Sequence, residues 1–135
     1  MPVRTASQRR REAKLAFDAF LSACPSRQLL EMISDKWVCL VVSALSTGSK
    51  RHGELARLIA GVSQKMLTQT LRALERDGLI SRKVTATVPL RVDYELTELG
   101  RGLLPVLGAV KRWAEGNMET VLSARRAYAQ AVGKG

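Results

Sequence analysis

Residues 63–82, SQKMLTQTLRALERDGLISR, constrain the fold of this chain more than any other stretch. Leu67, Leu71 and Leu74 recur at i, i+4 and i+7, the stripe of a helix that buries one side. Asp77-Gly78-Leu79 stops that helix abruptly: glycine supplies the left-handed residue and Leu79 packs back as its apolar partner. Beyond Leu79 the period changes. Val92, Tyr94 and Leu96 alternate with Arg91, Asp93 and Glu95, the pattern of a half-buried strand, and TATVP before them reads as a hairpin tip.

The segments before it supply a partner helix. KRHGELARLIAG predicts a short helix with Leu55, Leu58 and Ile59 on one face and Gly61 as its exit, and Ser63 is a good N-cap for the next one. Pro25 opens PSRQLLEMI, a short helix expected to turn Leu29, Leu30 and Ile33 inward. Ser34-Asp35 caps KWVCLVVSALS, apolar on most of its circumference and so the central helix, which Gly48 ends. Two helices joined by a tight turn and followed by a hairpin describe a winged helix-turn-helix. The fold class is therefore mainly α with a small β-hairpin wing. Within 135 residues and without a long linker this is one domain, predicted over 9–126, with a loose basic arm over 1–8 and a fraying tail over 127–135. Basic residues at the start of the segment 9–22 oppose the helix dipole, so its first turns are expected to fray unless a second subunit holds them.

Opposite the leucine stripe stand Gln64, Lys65, Thr68, Gln69 and Arg72. Glutamine can bond bidentately to adenine, Arg and Lys to the guanine acceptors, and the Thr methyl can touch thymine. Ser63 at the helix N-terminus suits a phosphate. On an arbitrary helix such a face is ordinary solvated surface. Here it coincides with a helix pair, a hairpin and a net charge of +10, with a pI of about 10.5. A charge of that sign and size suggests a polyanionic partner, nucleic acid before a membrane surface, and with the helix pair and hairpin the partner reads as double-stranded DNA. The first fifteen residues carry five basic side chains against Glu12, a net of +4, which leaves +6 on the rest of the chain. Arg82, Lys83 and Arg91 flank the hairpin tip. They are either an ordinary charged strand edge or the phosphate and minor-groove contacts of a wing.

Other classes find little support. Two cysteines and one histidine are too few for a self-contained four-ligand zinc site, and they make no disulfide framework. No metal, cofactor or catalytic constellation is predicted, and the chain does not read as an enzyme. No apolar run approaches the roughly 18–20 residues of a membrane span, and the arginines near the start precede no apolar stretch, so the expected compartment is the cytoplasm. His52 is expected to pack at a helix entry, and Trp37 and Trp113 to sit in the core or an interface.

The motifs Cys24-Pro25, Asp35-Lys36-Trp37, Val62-Ser63-Gln64-Lys65, Leu67-Thr68-Gln69, Leu74-Glu75-Arg76-Asp77-Gly78-Leu79 and Tyr94-Glu95-Leu96-Thr97-Glu98-Leu99-Gly100 together resemble the HxlR family of bacterial transcriptional regulators, relatives of the MarR group, over roughly residues 24–118. The resemblance implies a homodimer that binds operator DNA, with the terminal helices, about 9–22 and 98–122, as the dimer interface. Phe17, Phe20, Leu107, Val110, Trp113 and Met118 are the candidate interface residues. The sequence departs from the family pattern at His52, where an aromatic is usual, and at Pro89-Leu90, where a double proline is common in the wing. Some members that resemble this chain use a cysteine near Cys24 as a sensor of oxidants or electrophiles. A thiol at a helix N-terminus is activated, yet a Cys-Pro start also exists for packing alone, and both readings of Cys24 stand. Cys39 reads as a small buried hydrophobe. A basic architectural binder with no preferred site is the alternative function. A small-molecule effector between the dimer helices is left open.

Overall fold

A computed structural model describes residues 3–133. Its elements are α1 (Ala6–Ala23), α2 (Pro25–Ile33), α3 (Lys36–Ala44), a 3-10 turn (Leu45–Thr47), α4 (His52–Leu58), α5 (Gln64–Arg76), β1 (Ile80–Thr85), β2 (Arg91–Leu96) and α6 (Glu98–Gly133). The helix pair α4–α5 and the antiparallel hairpin β1–β2 form the predicted winged helix-turn-helix.

The core gathers around α3. Val41 and Val42 are fully enclosed, and against them lie Leu55 and Ile59 of α4, the Leu67–Leu71–Leu74 stripe of α5, and Leu79, Ile80, Leu96 and Leu103. Asp35 starts α3 by accepting the Trp37 N–H at 2.9 Å. Gly48, Gly61 and Gly78 each take a positive φ where a helix or turn ends, as their positions in the sequence suggest. Two short helices are turned differently from expectation. Leu30 and Leu58 are 61% and 60% exposed, because Leu29 with Met32 and Ile33, and Leu55 with Ile59, already fill the side facing the core.

One strand contact was not predicted. Lys50 exchanges both backbone hydrogen bonds with Tyr94, at 2.9 and 2.8 Å, which ties the loop before α4 to β2. At the other end of β2, Thr97 holds the corner where α5, β1 and α6 meet. Its hydroxyl donates toward the carbonyls of Gly78 (2.7 Å) and Leu79 (3.1 Å), its N–H donates to Leu79 O (3.0 Å), and its Oγ1 accepts the Gly100 N–H (3.1 Å).

Both termini are more helical than expected. The predicted loose arm over 1–8 is helical from Ala6, because Thr5 and Gln8 cap one another: Thr5 Oγ1 accepts the Gln8 N–H at 3.1 Å and Gln8 Oε1 accepts the Thr5 N–H at 2.9 Å. Arg4 adds an ion pair with Glu12 at 2.6 Å. Residues 1 and 2 lie outside the described residues. At the other end α6 runs through Pro105 and continues to Gly133, past the expected end near 122 and into the predicted tail. The residues after 122 are largely alanine and arginine, good helix formers that need no core to propagate. Residues 134 and 135 lie outside the described residues. Among the described residues no helix is long and apolar enough to cross a membrane.

Candidate nucleic-acid interface

Ser63 starts α5 by accepting the Met66 N–H on its Oγ at 3.1 Å. From that point the helix divides cleanly. Leu67, Thr70, Leu71 and Leu74 are buried, whereas Gln64, Lys65, Gln69 and Arg72 are exposed. At about 100° per residue the exposed four fall within one outward arc. Thr68 lies on the same arc but is half-buried, its Oγ1 3.2 Å from His52 Nε2 at the start of α4. Arg76, one turn beyond Arg72, extends the arc, and its side chain is 75% exposed beside Asp77. The i, i+4 spacing from Arg72 was the signal that could have found it.

The hairpin does not bring its three basic residues together. The register pairs Arg82 with Tyr94, Lys83 with Asp93 and Thr85 with Arg91, so Arg82 points to one face and Lys83 and Arg91 to the other. Arg82 stands 3.7 Å from Glu75 of α5, at the base of the wing rather than its tip. Together with Thr68, Arg72, Arg76 and Tyr94 this pair lines a cleft of about 560 Å³ between α5 and the hairpin. On the opposite face Arg91 grips Asp93 through two bonds, of 3.0 and 3.3 Å, and the carboxylate raises the guanidinium pKa above its usual value. Lys83 makes no ion pair among the described residues. At the mouth of α4, Glu54 accepts from the backbone N–H (3.2 Å) and Nε (3.3 Å) of Arg51, bonds that hold its carboxyl below the usual range.

Cys24 is the residue preceding α2, half-buried and free. The Cys24 side chain makes no capping bond, but the backbone N–H groups of Arg27 and Ser26 at the start of α2 favour the thiolate and lower the thiol pKa. Cys39 behaves in the opposite way. It donates to Ile33 O at 3.3 Å, and burial, with Asp35 nearby, pushes its pKa up.

Of the six candidate interface residues, Leu107 is half-buried against the protein's own core, since it follows Leu103 by one turn. The other five are exposed, including Phe20 (68%) and Trp113 (59%).

A family model described as HxlR-like helix-turn-helix matches residues 32–121, spanning α3, the helix pair, the hairpin and most of α6. The chain belongs to the HxlR-like helix-turn-helix family. It is 40% identical over 119 residues to the HTH-type transcriptional regulator YtfH of Escherichia coli (strain K12), itself uncharacterized, with 88% of this chain and 91% of that protein covered. The solved transcriptional regulator ytfH from Salmonella typhimurium superposes with a TM-score of 0.68 at 40% identity, covering 78% of this chain and 94% of that one. The redox regulator HypR in its reduced form superposes with a TM-score of 0.70 at 38% identity, covering 74% and 99%. This HxlR-like chain is thus a helix-turn-helix transcriptional regulator, a family function that implies DNA binding.

Proposed function

We propose that the chain acts as a homodimer that reads a palindromic operator through the outward arc of α5, and that modification of Cys24 switches it. The observation that carries this reading is the division of α5: a fully buried leucine stripe on one side, and Gln64, Lys65, Gln69 and Arg72 exposed on the other. Those four side chains offer the donors that major-groove edges accept, beside an N-terminus capped by Ser63. Lys83 and Arg91 serve as phosphate contacts of the wing, and Arg82 contributes to the charge of the cleft beside α5.

Dimerisation is supported by what one chain leaves uncovered. None of the residues of α1 is buried, and α6, about 54 Å long at 1.5 Å per residue, buries only Gly100 and Leu103. Phe17, Phe20, Val110 and Trp113 are each more than half exposed, with Met118 at the margin. Each large apolar side chain that a partner covers contributes about 1.5–3 kcal/mol. Two-fold pairing through these helices would present two copies of α5 to successive major grooves, about 34 Å apart. For the switch, the activated position of Cys24 and the likeness to a protein described as a redox regulator point the same way.

Selection of bound duplexes from a random pool, with and without a mild oxidant, tests the reading. The expected result is one enriched motif with two inverted half-sites about ten base pairs apart, and less enrichment after oxidation. A pool that stays random overturns sequence-specific reading and leaves a general basic binder. Equal enrichment after oxidation overturns the thiol switch.

A further inference from the structure

We propose that His52 is a positioning residue for the recognition helix: by holding the Thr68 hydroxyl, it decides which branch of Thr68 faces the DNA. This rests on the reading that α5 enters the groove. His52 is the only histidine of the chain and opens α4, and its Nε2 meets Thr68 Oγ1 at 3.2 Å across sixteen residues of sequence. The contact ties the two helices of the pair together at the middle of the outward arc, with Gln64 one turn before and Arg72 one turn after.

A helical threonine has two accessible χ1 wells, because its hydroxyl can turn back to a carbonyl three or four residues earlier. Thr70 takes that option and donates to Met66 O at 2.8 Å. The Thr68 hydroxyl is directed to His52 instead. Without His52 it becomes free to turn back to the Gln64 carbonyl, and the rotation about Cα–Cβ carries the methyl to a different staggered position. The two branches read different things: a methyl packs on the thymine C5-methyl, whereas a hydroxyl bonds to base-edge donors or acceptors. His52 therefore sets the preference at one base-pair step without touching the base. His52 also lines a cleft with Val88, Pro89 and Leu90 of the wing tip, and phenylalanine in its place keeps a ring of similar size there and removes the bond.

Two measurements test this on the full-length protein. In the first, χ1 of Thr68 is read from three-bond couplings by NMR without DNA. The wild type and His52→Gln, whose amide can replace the ring nitrogen, are expected to share one rotamer, and His52→Phe to populate the other. In the second, duplexes are selected from a random pool. His52→Phe is expected to lower the preference at one step of each half-site by about fivefold, the low end for a base contact. All other positions are expected to be unchanged and His52→Gln to restore the preference. In a Thr68→Val background the His52→Phe substitution is expected to add nothing. An unchanged rotamer, a uniform loss across the motif or additive effects of the two substitutions would overturn the proposal. A rotamer that flips while the wild type enriches no motif would retain the His52–Thr68 tie but remove its role in reading DNA, and the groove reading with it.

Discussion

Gly100 gives the sharpest test of how α5, the candidate recognition helix, is braced. A Cβ placed there runs into the carbonyl oxygen of Leu79 and stands 3.1 Å from the carbonyl carbon and 3.2 Å from Leu96 Cδ2. That oxygen is already engaged, since it accepts the Thr97 N–H at 3.0 Å and lies 3.1 Å from Thr97 Oγ1. For Gly100→Ala to fit, the first turn of α6 must move away from the corner that follows α5. Forcing a methyl into a packed site costs about 1–3 kcal/mol, and weakening a buried hydrogen bond costs about 1–3 kcal/mol. The better helix propensity of alanine offsets about 1 kcal/mol. The expected net loss is about 1–5 kcal/mol, centred near 3. Gly102, two residues on in the same helix, has nothing within 4 Å of a built Cβ, so Gly102→Ala should gain up to about 1 kcal/mol. The assay is urea unfolding of both variants at one fixed protein concentration, because any self-association would couple to stability. With a slope of about 1–3 kcal/mol per molar urea, the midpoint of Gly100→Ala should fall by roughly 1 M or more. Equal midpoints for the two variants would refute the close approach at Leu79 and the bracing it provides.

Two further outcomes rest on the charges. Because helix N–H groups lower the Cys24 thiol pKa while burial raises that of Cys39, alkylation of Cys24 should reach its half-maximal rate at the lower pH, read residue by residue by mass spectrometry; faster labelling of Cys39 at neutral pH would contradict this. Lys83→Ala should reduce the slope of log K against log salt by about one while lowering affinity equally for all duplexes; an unchanged slope would place Lys83 away from the phosphates.

Local periodicity made the central part of this fold readable. The leucine stripe of α5, the Asp77-Gly78-Leu79 stop and the alternation along β2 are each set by neighbours within a few residues, and each is found where the pattern placed it. The short helices were harder. With seven or nine residues, α2 and α4 carry apolar side chains over so wide an arc that periodicity alone could not show that Leu30 and Leu58 face outward. The early start of α1 was readable, since Thr5 and Gln8 have capping-box spacing, but the run of arginines beside them has the composition of a loose arm. Long-range pairs left no local trace: Lys50 with Tyr94, His52 with Thr68 and Arg82 with Glu75 depend on how elements pack. The same limit explains the wing. Strand alternation already separates Arg82 from Lys83, yet which of the two shares a face with Arg91 is set by the register.

Competition binding of Gln64→Ala and Arg72→Ala, each measured on the selected operator and on bulk duplex, tests the role of α5 most directly. Both side chains are exposed on the outward arc, so neither truncation should unfold the domain. Each variant is expected to lose about 1–3 kcal/mol on the operator while keeping its affinity for bulk DNA. Wild-type discrimination in both variants would contradict the assignment of this face to the DNA bases.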